Sequence, residues 1–186
     1  MVFNSKNKSI QNTVILDEDG NKNEINLCEL SWLPNSNIIE IKKMLSSSVS
    51  ESCEIIYSPS SYEHRKKWMS HSKTDEFKYI CVHSTPKSGI RYMYSKVNDR
   101  GHFGVSKVII GEAGINDIII DINGEYGMTN GAIGIKIYNL EEGKKYETTL
   151  KSERFNKFLK STSFSLYRVD WNIFKEFKKD FWKEFI

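Results

Sequence analysis

From Tyr79 to Tyr138 the chain is a succession of short apolar runs separated by glycine-bearing connections, and any fold must accommodate that succession. The runs are "YICVHS" (79–84), "IRYMYS" (90–95), "KVIIG" (107–111), "NDIIIDI" (116–122) and "AIGIKIY" (132–138). Each is rich in the β-branched and aromatic residues that fit a pleated surface. Glycine-bearing turns between them suit an antiparallel or mixed sheet rather than regular strand–helix–strand units. Upstream, "CEIIYS" (53–58) predicts a further strand. "TVILDEDGNKNEINL" alternates around Asp19-Gly20, as a β-hairpin does.

The period becomes helical elsewhere. "PNSNIIEIKKMLSSS" predicts a helix capped by Asn37, with Glu40 three residues on as in a capping box and Ile38, Ile41 and Leu45 at helical spacing. Asn139 with Glu142 predicts another, carrying Tyr146 and Leu150. "SERFNKFLKS" sets Phe155, Phe158 and Leu159 on one face, and "WNIFKEFKKDFWKEFI" gathers Phe174, Phe177, Phe181, Trp182 and Phe185 into one broad stripe. The expected class is α+β: a mixed or antiparallel β-rich body covered by C-terminal helices. Residues 1–12 read as a loose polar leader and 13–186 as a single domain.

Composition narrows the function classes. No apolar run is long enough to span a bilayer, and the first residues lack the apolar core of a signal peptide. Cys28, Cys53 and Cys81 are odd in number and widely spaced, which favours reduced thiols over a disulfide framework. A soluble, intracellular protein is therefore expected. His64, His71, His83 and His102 lack zinc-ligand spacing, so no metal is expected. A net charge of +3 accommodates a polyanionic partner without requiring one.

Enzyme readings find little support in the motifs. There is no dinucleotide-binding glycine fingerprint and no P-loop. Gly101-His102-Phe103-Gly104 matches the loop of KH domains in letters, but it precedes a strand where that loop must join two helices. Glu40-Ile41-Lys42, with Asp17 and Asp19 upstream, could serve a divalent-metal nuclease, yet the triplet falls on a capped helix instead of converging strands. Cys81 with His83 or His102 could form a nucleophile and base, against a packing role for the thiol. Asp117, Asp121 and Glu125 could bind a cation, against the reading as a solvated edge and turn.

Nucleic-acid binding uses more of the chain. Arg65, Lys66, Lys67, Lys73, Lys78, Lys87, Arg91, Lys96, Arg100 and Lys107 are interleaved with Trp68, Tyr92, Tyr94 and Phe103. Cations neutralise phosphates and release counterions, while loop side chains reach base edges. The alternative is lysines that merely solvate a sheet face.

The order "YICVHSTPKSG", "YSKVNDRGHFGVSKVIIGEAG", "IIIDINGEYGMTNGAIGI" and "YRVDWNIFKEFKKDFWKEF" resembles the TaqI-like C-terminal specificity domain of adenine-N6 DNA methyltransferases and fused restriction–modification enzymes. The similarity runs from about Asn12 to Ile186. In that family a catalytic half holds S-adenosylmethionine and carries an Asn/Asp-Pro-Pro-aromatic motif. Pro34, Pro59 and Pro86 are the only prolines here and none adjoin, so the resemblance implies a target-recognition part without methyl transfer and without a cofactor of its own. It implies double-stranded DNA as partner, and a separate methyltransferase or nuclease subunit as a possible second one. The implied phosphate contacts are Arg65, Lys66, Lys67, Lys87 and Lys96, and the implied sequence readers are Thr85, Asn98, Arg100 and His102. Ser84 and Lys107 flank them. A docking module, its C-terminal aromatics seated on a catalytic subunit, is the reading from another class.

Overall fold

The computed structural model describes residues 12–17, 20–26, 36–162 and 171–186. The polar leader up to residue 11 lies outside these, as do Asp19 and Cys28. The hairpin is present: β1 (Thr13–Leu16) pairs antiparallel with β2 (Lys22–Ile25), and Asn21 N–H donates to Asp17 Oδ1 at 2.7 Å within the turn.

Two four-stranded sheets form the body. The first has the order β3 (Ile55–Ile56), β10 (Ala132–Lys136), β7 (Lys107–Gly111), β8 (Ile119–Asp121), all antiparallel. The second runs β4 (Met69–Ser70), β6 (Arg91–Ser95), β5 (Tyr79–Ser84), β9 (Gly127–Met128), with β5 and β9 parallel. The body is therefore mixed, and with four helices among the described residues the protein is α+β, as its periodicities predict. The two-residue strands β4 and β9 carry too little pattern to be foreseen. A register shift between Val82 and Ser84 breaks the simple alternation expected of "YICVHS".

Alternation along β7 explains the layering. Val108 and Ile110 point into a core shared with the helices, whereas Ile109 joins Val82, Met128 and Ala132 between the two sheets. The first sheet is thus buried on both faces, helices on one side and the second sheet on the other. Lys107 shares the inter-sheet face with Ile109. On the outer face of the second sheet a smaller cluster, Tyr62, Met69, Cys81 and Met93, is roofed by Trp68, Val97 and Phe103 from the loops above.

Helices α1 (Ile38–Met44), α2 (Leu140–Lys151), α3 (Glu153–Thr162) and α4 (Trp171–Glu176) cover the first sheet. Asn139 caps α2 by accepting the Glu142 N–H at 2.8 Å, as its spacing predicts. The expected cap of α1 is corrected. Asn37 sits in the left-handed region at φ 57° and makes no side-chain cap bond, and Glu40 turns to Lys43 (2.9 Å) and Arg154 (3.5 Å) instead. The C-terminal stripe is not one helix either. After α4 the chain leaves helical geometry: Lys178 N–H donates to Met44 O and Cys53 N–H to Phe177 O, before a 3-10 turn over Phe181–Glu184. Those backbone bonds replace the helical ones and drive Phe174, Phe177 and Phe181 fully into the core.

Candidate nucleic-acid interface

The layer above the second sheet is built from two loops, and hydrogen bonds hold them to each other. Trp68 Nε1 donates to Ser61 O (3.0 Å), Lys96 N–H to Trp68 O (3.0 Å), and Arg100 N–H to Tyr62 Oη (3.2 Å). These bonds draw the 61–68 turn and the 96–100 connection together, although some thirty residues separate them. The Arg100 guanidinium lies 3.9 Å from the Trp68 ring centroid, and Lys66 Nζ lies 5.8 Å from the same ring. Arg65, Lys66, Lys67, Lys96, Asn98 and Arg100, all within these two segments, are exposed. Arg65 bonds Glu63 (2.5 Å) and Lys96 bonds Glu76 (3.0 Å), so part of the charge is compensated on the surface.

Beneath this surface the glycine-rich stretch 98–114 is a structural knot. Gly101 and Gly104 adopt φ of 80° and 72°, which turns the chain back on itself, and Gly104 N–H donates to Gly124 O at 2.9 Å. Lys107 Nζ is fully buried and donates to Asp121 Oδ2 (2.5 Å), His102 O (2.9 Å) and Val105 O (3.1 Å). Asp121 also accepts the N–H groups of Glu125 (2.7 Å) and Tyr126 (3.0 Å). Burial pushes the Lys107 ammonium below its ordinary value, and Asp121 opposes that shift. Gly134 leaves room for the lysine stem: a Cβ there would meet Lys107 Cδ at 3.2 Å and Met128 Cε at 3.0 Å.

Three of the expected DNA contacts are corrected by burial. Lys107 has no exposed surface, because its strand is the middle layer of the fold. His102 is turned inward, its Nδ1 accepting the Met128 N–H (3.2 Å) and its ring 5.0 Å from that of Tyr62. Burial holds its pKa down to about 4, so the ring is neutral. Thr85 is buried with its hydroxyl against Gly111, whose missing side chain makes the space. Ser84 (half-buried) and Lys87 (exposed) sit with Thr85 at the turn end of the β5–β6 hairpin, away from the end that carries Lys96 and Asn98. The expected residues therefore divide into two separate groups.

The enzyme readings fare as follows. Burial pushes the Cys81 thiol up to about 12, so it is not a nucleophile at neutral pH. Asp121 is a buried ion-pair partner and not part of a solvated edge. Asp17 and Glu40 border one shallow depression, but the Glu40 carboxylate is taken by Lys43 and Arg154. Among the described residues no group of three or more His, Cys, Asp or Glu side chains is placed to hold a metal ion. Nor is any described helix long and apolar enough to cross a membrane.

Sequence reasoning included Trp68 among the aromatics of this surface but passed over Tyr62, and it did not foresee that Arg100 would stack on Trp68. Their signal was present, aromatics next to a basic run, but the partner loop was not identifiable from spacing. No protein family, curated protein or solved structure matches the chain.

Proposed function

We propose that the chain is a target-recognition module for double-stranded DNA, serving an adenine-methyltransferase or restriction–modification system and performing no methyl transfer itself. The observation that carries this reading is the stacking of Arg100 on Trp68 with Lys66 beside it, in a field of exposed cations. Stacking fixes the guanidinium plane while leaving its N–H groups free, so less side-chain entropy is lost when they meet a phosphate or a guanine edge. Asn98 and Lys96 border the same surface and Lys67 extends it. S-adenosylmethionine would belong to the separate catalytic half that the sequence resemblance implies.

The test is binding to duplex DNA across a salt series, followed by sequencing of the retained duplexes. Arg100→Ala is expected to weaken binding and to lower the salt slope by about 1 if the residue meets a phosphate. An unchanged affinity and slope in a folded Arg100→Ala, Lys66→Ala double variant would assign DNA binding to another surface.

A second reading, docking onto a separate methyltransferase or nuclease subunit, rests on the hairpin and not on the C-terminal aromatics, whose central members are core. Val14 and Leu16 are 63% and 64% exposed on one face of β1. Co-elution with a catalytic subunit that is lost in a Val14→Ser, Leu16→Ser variant would support it.

A further inference from the structure

A polar cluster beside the basic run has no part in the packing of the core. His64, in the 61–68 turn, and His83, at the irregular step of β5, bring their ring centroids to 5.9 Å. Each ring is anchored through Nδ1. His64 Nδ1 lies 3.4 Å from Asn130 Oδ1, and His83 Nδ1 lies 2.9 Å from Thr129 Oγ1.

Those anchors determine where the imidazole protons are. The Thr129 hydroxyl is in donor geometry to His83 O (3.3 Å) and accepts the Gly131 N–H (3.3 Å), an arrangement in which it acts as an acceptor towards His83 Nδ1. Asn130 Oδ1 can only accept. Both rings in their neutral form therefore carry the proton on Nδ1 and the lone pair on Nε2. Neither Nε2 has a hydrogen-bond partner among the described residues. The buried side-chain polar atoms without a partner among the described residues are Thr85 Oγ1, His102 Nε2, Thr149 Oγ1 and Trp182 Nε1, so the Nε2 atoms of His64 and His83 meet solvent.

Building on the DNA-binding reading, we infer that His64 and His83 read base edges, presenting two fixed acceptors to the exocyclic amines of adenine or cytosine in the major groove. At that edge adenine N6 and cytosine N4 are the donors, whereas guanine and thymine present only acceptors. The ring centroids lie 5.9 Å apart, between one and two base-pair rises of roughly 3.4 Å, so the two rings can address base pairs close together in the duplex. Continuity with Arg65–Lys67 places the cluster beside cations that would hold the backbone.

The charged neighbours act against protonation of His83. Half-burial comes first, followed by His64, His71 and Arg91, and together they hold its pKa below the ordinary imidazole value. Around His64, Glu63 lies 3.9 Å from Nδ1 and is itself bound to Arg65. Protonation of His83 converts its Nε2 from acceptor to donor and should move the preference read by that ring towards guanine.

The experiment is selection from a randomised duplex pool by the full chain near neutral pH, repeated with His64→Phe, His83→Phe and Thr129→Val. Phenylalanine keeps the ring volume, and Thr129→Val keeps both rings while releasing the Nδ1 anchor. Circular dichroism identifies the folded variants. The expected result is an adenine or cytosine preference at adjacent positions that falls roughly five- to tenfold in either Phe variant and partly in Thr129→Val. Salt-dependent binding persists throughout, and acid below the ordinary imidazole range shifts the wild-type preference towards guanine. An unchanged motif in folded variants overturns the inference and leaves the target-recognition reading standing, whereas wild-type binding with no motif overturns both and leaves only a phosphate-binding surface. No binding at low salt overturns both.

Discussion

Replacing Lys107 by Met tests the buried ion pair that joins the glycine-rich loop to the 121–126 turn. The side chains of Lys107 and Asp121 are 0% and 1% exposed, and the ammonium meets three oxygens. Methionine preserves most of the stem between the sheets, so packing changes little and the electrostatic consequence dominates. Asp121 retains two backbone N–H donors but loses its counter-charge in a water-free site. Breaking a buried pair by removing one partner costs about 3–5 kcal/mol. For a chain of this length, where about 1 kcal/mol shifts Tm by roughly 2–4 °C, the melting temperature should fall by roughly 6–20 °C. Urea unfolding followed by circular dichroism measures the loss, with an unchanged m-value showing that the two end states are the same. Lys107→Met combined with Asp121→Asn removes both charges, and its cost should fall short of the summed single costs by about 1–3 kcal/mol. A single variant within about 1 kcal/mol of wild type, or an additive pair, would refute the argument.

Two further outcomes follow from the same region. His102 titrates at about 4 in the folded chain against 6.5 unfolded, so the unfolded state binds more protons between those values. Stability should therefore fall by about 3 kcal/mol as pH drops from roughly 6.5 to 4, and a folded His102→Gln variant should lose that part of the acid sensitivity in pH-dependent urea titrations. Gly124→Ala would put a Cβ 2.5 Å from Val105 N at a backbone φ of 70°, a clash with main chain in a conformation unfavourable to L residues. A loss of about 2 kcal/mol or more is expected in thermal melts, and a neutral result would show that the 101–104 and 121–124 turns can separate without cost.

The local chemistry of the chain specified most of its elements. β5, β6, β7 and β10 lie within the apolar runs, and α2 starts at Asn139 because a side-chain oxygen three residues before a free N–H needs no distant partner. The α1 cap failed because Glu40 pairs with Lys43 one turn on in the same helix, and tertiary structure adds Arg154 from α3. The C-terminal stripe failed likewise: its hydrophobic residues were correctly destined for the core, but backbone pairing with residues 44–53 outweighed continuation of a helix.

The candidate site divides the same way. Exposure of Arg65, Lys66 and Lys67 could be expected from a run of charges, since solvating them costs less than burying them. Nothing in "HFGVSK" distinguishes a surface lysine from one buried between two sheets, because Asp121, its counter-ion, lies fourteen residues away and is brought beside it only by the pairing of β7 with β8. Local spacing determines periodicity and caps. Only tertiary pairing decides that Lys107 and His102 face inward while Arg100, two residues before His102, stacks on Trp68 at the surface, because burial of an ionisable group depends on which distant partner arrives to neutralise it.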